Sequence, residues 1–158
     1  MKVIDLTRGL QATVDDQDWE WLNDICSWNA HPAKQRDERW YASGSQSGKT
    51  IYMHRIILDA PIGVMVDHVN GNGLDNRRQN LRLATKSQNN ANRNGYQNRT
   101  GFRGVEPHKK RFIAVIWINH KRKNVGRFDT AIEAAIARDM AAKKVYGEFA
   151  KLNFPEGF

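Results

Sequence analysis

The chain has 158 residues, 25 Lys/Arg against 17 Asp/Glu and a net charge of +8, room for one ordinary domain or two or three small modules. Its one cysteine, Cys26, excludes an intramolecular disulfide and a CxxC zinc knuckle, and no apolar run approaches the roughly 18 residues of a membrane span. Residues 1–50 hold 6 Lys/Arg and 8 Asp/Glu, residues 51–100 hold 7 and 3, and residues 101–158 hold 12 and 6, so a basic excess suited to phosphate, whether of DNA, RNA or an anionic membrane, lies in the last two thirds.

Met1-Lys2-Val3-Ile4-Asp5 does not read as a signal peptide, and a reduced, cytoplasmic setting is expected. Residues 3–6 and 10–14 are predicted as short strands about a Thr7-Arg8-Gly9 turn. Asp15 or Asp16 is placed to cap a helix with Trp19, Leu22 and Ile25 on one face and Cys26 on its buried side. Trp40-Tyr41-Ala42 reads as a strand and residues 43–48 as a loose turn. Core packing is the expected role of the tryptophans.

Tyr52-Met53-His54-Arg55-Ile56-Ile57-Leu58 leads into a second region, and Pro61 ends that element because proline restricts the residue before it. Gly63-Val64-Met65-Val66 is an apolar strand that ends in a carboxylate and an imidazole, Asp67-His68. A Gly/Asn-rich turn follows through residues 69–79. Asn80-Leu81-Arg82-Leu83-Ala84-Thr85 then predicts a short second strand, and Ser87-Gln88-Asn89-Asn90 a polar helix. This layout brings Asp67 and Asn89, two hard oxygen donors, within reach of one divalent cation, with His68 beside it. A histidine of ordinary pKa, roughly 6.5, can take a proton from water at neutral pH. Taken singly, each of these residues is equally a surface or turn residue.

The pattern D-H-x-N-G-x(3)-D-N-R-x(2)-N-L-R resembles the HNH endonucleases, in the phage and intron-type branch where asparagine replaces the last histidine. The resemblance implies a ββα-metal fold holding one divalent cation, Mg²⁺ or Mn²⁺, against the scissile phosphate. It implies Asp67 and Asn89 as metal ligands, His68 as general base, and Asn80 as the residue that holds the turn and orients the base. His54 or Arg55 is a candidate phosphate contact, the alternative being a structural, hydrogen-bonded histidine. Arg77, Arg78 and Arg82 flank the turn and second strand, where they would clamp a DNA backbone or stand as solvated surface charge. The L-T-x-G and V-D-D-x-D patterns near the N-terminus are similar to segments that precede such cores and carry no residue-level function.

Residues 92–101 are polar, without apolar periodicity, and suit an exposed basic connector. Beyond them Gly101-Phe102-Arg103-Gly104-Val105, Gly126-Arg127-Phe128-Asp129-Thr130, Glu133-Ala134-Ala135, Ala141-Ala142, Tyr146-Gly147 and Lys151-Leu152-Asn153-Phe154 resemble an AP2-type DNA-binding domain. That resemblance implies three antiparallel strands packed on one helix, with the sheet in the major groove. The residues agree. Phe112, Ala114, Ile116 and Ile118 alternate on one strand face, and Asn119-His120-Lys121 makes a hairpin turn. A T-x-x-E capping box at Thr130 and Glu133 opens the helix. Ile132, Ile136 and Met140 form its apolar stripe, and Gly147 stops it. The opposite strand face, with Ile113, Val115 and Trp117, departs from the plant pattern, in which charged residues read guanines. Ile113 and Val115 can meet only thymine methyl groups, Trp117 can stack or pack on sugar, and the alternative is that this face packs against the nuclease module or a second chain. Phosphate contacts are expected from Arg103, Lys109, Lys110, Arg111, Lys121, Lys123 and Arg127. His108 and His120 sit among lysines without metal-ligand partners.

The expected fold class is α+β. It comprises a small N-terminal α/β module (1–50), a ββα-metal nuclease core (51–94), a basic linker (95–100) and an AP2-like three-stranded antiparallel sheet on one helix (101–158). The expected function is a metal-dependent HNH DNA endonuclease of the phage or homing type, nicking double-stranded DNA and positioned by the AP2-like module. It would act in bacterial or phage-infected host cytosol, without membrane or obligate protein partner. One active-site set without internal repeat predicts a monomer, and a dimer if the Ile113, Val115 and Trp117 face pairs. The rival reading is a non-catalytic DNA-binding or regulatory protein working through the AP2-like module; an RNA-cleaving enzyme is a third.

Overall fold

The computed structural model describes residues 1–33, 39–92, 99–119 and 121–155. The chain forms two compact units, Met1–Thr85 and Lys86–Phe158.

The first unit opens with an antiparallel hairpin, β1 (Lys2–Asp5) and β2 (Gln11–Val14), joined by a 3-10 turn at Thr7–Gly9. Helix α1 (Asp16–Ile25) follows, with Leu22 fully buried. Asp15 sits at its N-cap, but the side chain does not cap: it accepts a hydrogen bond from the Arg78 backbone N–H at 2.8 Å, 63 residues away. The expected local cap is thus replaced by a tertiary contact. Next come β3 (Asn29–Pro32), β4 (Trp40–Gln46) and β5 (Lys49–Tyr52), an antiparallel sheet in that order. β4 runs through most of the residues expected as a loose turn, which contracts to Ser47-Gly48, both at positive φ. Two such central residues give the turn twist that matches paired strands. The boundary drawn at residue 50 lies inside β5.

Helix α2 (Met53–Ile57) leads to the antiparallel pair β6 (Met65–His68) and β7 (Leu81–Ala84), whose register sets Asp67 opposite Arg82 and His68 opposite Leu81. One core holds the unit together, drawing Val14, Leu22, Ala42, Met53, Val66 and Leu81 from both sides of residue 50. Full burial of a side chain such as Leu22 or Met53 contributes about 1.5–3 kcal/mol.

The second unit begins with α3 (Lys86–Asn92). Its sheet is β8 (Val105–His108), β9 (Arg111–Ile118) and β10 (Lys121–Phe128), antiparallel with β9 in the centre, and α4 (Ala131–Tyr146) packs on it. The capping box forms as expected, with Thr130 Oγ1 accepting from Glu133 N–H and Glu133 accepting from Thr130 N–H, and Gly147 ends the helix at positive φ. The stripe expected to face the core does not. Ile132 and Met140 are 56% and 65% exposed, while Ala134, Ala135 and Ala142 are fully buried with Val105 and Ala114. Helix and sheet meet through methyl-sized side chains, a close approach that isoleucine and methionine at those positions would prevent. Asp139, 2% exposed, accepts from the backbone N–H groups of Asn153 and Phe154 and ties the C-terminal strap to the helix.

Residues 93–98, which hold most of the expected connector, and His120 lie outside the described residues. Among the described residues no helix is long and apolar enough to cross a membrane.

Gly73 is buried with its α-carbon against β4. A Cβ there would lie 2.3 Å from the Trp40 carbonyl oxygen and 2.5 Å from the Tyr41 ring. Backbone cannot move aside as a flexible side chain can, so Gly73→Ala should destabilise the protein by about 1–3 kcal/mol. Urea denaturation monitored by tryptophan fluorescence measures this; an unchanged midpoint would refute the close approach.

Candidate active site

β6 delivers two adjacent ionisable side chains to the end of a strand, and both are buried, Asp67 at 4% and His68 at 6% exposure. Alternation along a strand sends neighbours to opposite faces, so the pair serves two environments. Asp67 Oδ2 accepts two hydrogen bonds from Arg82, from Nε at 2.9 Å and from a terminal nitrogen at 2.8 Å, directly across the β6–β7 ladder. The His68 ring lies among aromatic rings: 5.2 Å from His54, edge to face, and 5.8 Å from Tyr41. Burial pushes the His68 pKa below the ordinary histidine range, against the partial opposition of the Asn76 side chain and of Asp67 and Asp75. A neutral imidazole at neutral pH is the state a base must start from.

The connection from residue 69 to 80 has little ladder of its own and is held by side-chain amides. Asn80, 6% exposed, accepts from Asn70 N–H at 3.0 Å and donates to Asn70 Oδ1 at 3.1 Å and to the Asp75 carbonyl at 2.7 Å. Asn70 donates to Asp75 Oδ2 at 2.8 Å, and Asn72 N–H donates to Asn70 Oδ1 at 2.8 Å. Asn80 thus binds three groups of the connection. The amide that meets the His68 ring is a different one, Asn76, fully buried, with Oδ1 3.4 Å from His68 Nε2. In the sequence Asn76 is one of several turn asparagines, and nothing local marks it out.

The N-terminal hairpin reaches the same connection. Thr13 N–H donates to the Leu74 carbonyl and Asn76 N–H donates to the Thr13 carbonyl, each at 2.8 Å, in a parallel bridge between Thr13 and Asp75. Arg78 donates from Nε and a terminal nitrogen to the two oxygens of buried Asp18, each at 2.8 Å. Arg77 forms the same fork on Asp75, at 2.7 Å for each bond. The Arg77 guanidinium holds the Asp75 carboxyl below its usual range, and Asp18 raises Arg78. Arg77, Arg78 and Arg82 therefore each bind a carboxylate of their own unit. Arg55 is likewise committed, donating to the Val64, Ala60 and Pro61 carbonyls at 2.7–2.9 Å. His54 is left beside His68 with Nδ1 buried and unpartnered.

Asn89 lies on α3, in the second unit. Also in that unit, Arg103 donates to the Asn90 and Ala91 carbonyls of α3 at 3.5 and 3.0 Å. Arg111 pairs with Asp129 at 2.7 Å on the surface. Lys109, Lys110, Lys121, Lys123 and Arg127 are exposed on β10 and the β8–β9 turn. Ile113 and Val115, expected on an open face, are 8% and 3% exposed, while Trp117 is 60% exposed. Among the described residues no group of three or more His, Cys, Asp or Glu side chains is placed to hold a metal ion.

Residues 52–91 match the family model described as HNH endonuclease. Over 105 residues the chain is 33% identical to a protein of Acanthamoeba polyphaga mimivirus named uncharacterized HNH endonuclease L560, covering 65% of this chain and 54% of the viral protein. A 36-residue stretch is 58% identical to the dehydration-responsive element-binding protein 2E of Arabidopsis thaliana, covering 23% of this chain and 15% of the plant protein. The chain thus spans about half the length of the viral relative and a small part of the plant one.

Burial, with smaller contributions from His68 and Arg55, pushes the His54 pKa down to about 3. Between that value and the ordinary pKa of roughly 6.5, the unfolded chain takes up a proton that folded His54 does not, so stability falls as pH drops through this window. At pH 5 the loss from this group should reach about 2 kcal/mol. Urea denaturation of wild type and His54→Gln at pH 7.5 and pH 5 measures it. The wild type should lose more stability than the variant, and equal losses would exclude His54 as the cause.

Proposed function

We propose that the protein is a metal-dependent DNA endonuclease that hydrolyses phosphodiester bonds, with His68 as general base. The observation that carries this reading is the buried Asp67-His68 pair at the end of β6, its imidazole kept neutral by burial, inside the segment that matches the HNH endonuclease model. His68 takes a proton from the attacking water. Asn80 keeps the connection around it in one conformation through bonds to Asn70 and Asp75, which limits the motion lost on reaching a reactive geometry.

The donor chemistry of Asp67 and Asn89 suits a hard divalent cation, Mg²⁺ or Mn²⁺, since carboxylate and amide oxygens are its preferred ligands and such an ion keeps several waters. These two residues would hold it, with Arg82 already on one oxygen of Asp67. When bound, the cation would stabilise charge on the phosphate and its leaving oxygen. The second unit would hold duplex DNA through Lys109, Lys110, Lys121, Lys123 and Arg127, with Arg103 and Arg111 more structural because each already has partners. Arg77, Arg78 and Arg82 would act mainly inside their unit for the same reason. With a single Asp67-His68 pair, one chain would cut one strand.

Incubation of purified protein with supercoiled plasmid in Mg²⁺, Mn²⁺ or EDTA tests the reading. Nicked circles should form before linear product, with either metal and not in EDTA. Linear plasmid at the earliest times would overturn the monomeric nickase, and no cleavage under any condition would overturn the nuclease. His68→Ala should abolish cleavage and leave DNA affinity within about threefold, because affinity rests on dispersed basic groups; parallel loss of both would make His68 structural. Asp67→Ala and Asn89→Ala should also lose activity, and Asn89→Ala should regain part of it in excess Mn²⁺. The same failure at every metal concentration would exclude Asn89 as a ligand. Removing four of the exposed lysines and arginines of the second unit should weaken binding and flatten its salt dependence, by about 0.9 in log–log slope for each phosphate no longer neutralised.

A further inference from the structure

Asn76 is fully buried, yet its side chain makes no bond within the loop that contains it. Its neighbours Asn70, Asn72 and Asn80 all bind backbone or side chains of the connection. Asn76 directs its amide oxygen at His68 Nε2, 3.4 Å away, while its Nδ2 has no partner. Leaving a buried N–H unsatisfied is costly, about 1–3 kcal/mol, and the His68 ring is the hydrogen-bond partner that the Asn76 amide has among the described residues. The backbone beneath it is fixed from outside. Asn76 N–H donates to Thr13, and Thr13 N–H donates to Leu74, so β2 grips the residues on either side of Asp75. Both Thr13 backbone groups point away from β1, and the β1–β2 hairpin thereby becomes a clamp on the connection.

We propose that Asn76, clamped by Thr13 of the N-terminal hairpin, is the positioning residue of the site: its amide oxygen accepts the His68 Nε2 proton and fixes the tautomer whose Nδ1 lone pair is the base. The inference rests on the reading of His68 as general base. Neutral imidazole has one donor and one acceptor nitrogen, and the partner of one decides the role of the other. An oxygen on Nε2 leaves Nδ1 basic. The reverse arrangement, Nδ2 on the ring, would move the proton to Nδ1 and leave no lone pair for water. The N-terminal hairpin then has a catalytic purpose that its distance in sequence conceals, since it holds the backbone of Asn76.

The test is the ¹⁵N spectrum of the histidine rings in the full chain at pH 8, with the His68 signals identified by their absence in His68→Gln. The wild-type ring should show a protonated Nε2 and an unprotonated Nδ1; the opposite tautomer overturns the proposal without need of any variant. Asn76→Ala should give a mixture of tautomers and lower kcat roughly 10- to 100-fold at unchanged KM. Asn76→Asp, which keeps an acceptor oxygen, should restore the Nε2 proton. Thr13→Pro removes one clamp bond without touching the β1–β2 ladder, and should lower kcat at temperatures well below its unfolding midpoint. A pure tautomer in Asn76→Ala, or kcat unchanged in both Asn76→Ala and Thr13→Pro, overturns it. The two readings fail separately. A wild type that cleaves nothing removes the base role, and the spectrum still decides whether Asn76 fixes the ring.

Discussion

The first unit depends on how a long connection between two four-residue strands is kept in one conformation. Residues 69–80 contain no strand, and the backbone groups that the Thr13 bridge and the local turns do not meet would otherwise look to water. Asparagine supplies both a donor and an acceptor on a short stem, so it can stand in for a missing peptide partner. Asn80 does this three times, on Asn70 N–H, Asn70 Oδ1 and the Asp75 carbonyl, and Asn72 and Asn70 cap their own turns. The amides themselves are uncharged, so the charges that act on His68 are those of Asp67 and Asp75, both of which favour its protonated form against burial.

The charge distribution divides along the same line as the two units. Arg77, Arg78 and Arg82 are each matched by a carboxylate at hydrogen-bonding distance, so the basic appearance of this stretch in sequence overstates what it offers to an anion. Two of those bridges are also tertiary ties. Arg78, itself partly exposed, joins the end of the connection to α1 through Asp18, which is 1% exposed, so loss of Arg78 would strand the buried Asp18 carboxylate. Among the described residues, exposed lysines cluster on β10 and the β8–β9 turn, where long side chains stay hydrated and can exchange counterions for phosphate.

What was legible in the sequence was local. The strand ending in Asp67-His68 and the second strand at 81–84 are marked by their own apolar residues, and the Thr130/Glu133 capping box by residues three positions apart. The box and the second strand appear where expected, while the first strand begins at Met65, two residues later than expected. The features that differ are those decided at long range. Asp15 is a good helix cap by type, yet Arg78 N–H takes its oxygen. The α4 stripe of Ile132, Ile136 and Met140 has the right period for a core face, but the alanines round the helix have it too. Only the proximity of β9 selects Ala134 and Ala135 for burial. Asn76 is the sharpest case, because nothing in N-G-N-G-L-D-N-R separates it from its neighbours until Thr13 is seen to hold it.

Arg82 brings the two themes together. A carboxylate buried to the extent of Asp67 is tolerable only with a partner, since an isolated charge taken from water loses several kcal/mol of hydration. The cross-strand register supplies that partner, and it does so on Oδ2 with both of its donors. The guanidinium therefore allows β6 to present a paired carboxylate beside a neutral imidazole. Two adjacent groups of opposite character are kept apart in function, one by pairing and the other by burial. Replacing Arg82 by a neutral residue of similar size would strand the Asp67 carboxylate inside the strand pair. The strand pair would bear that cost directly, because the oxygen that Arg82 satisfies lies across the ladder from it, between the two strands' own residues.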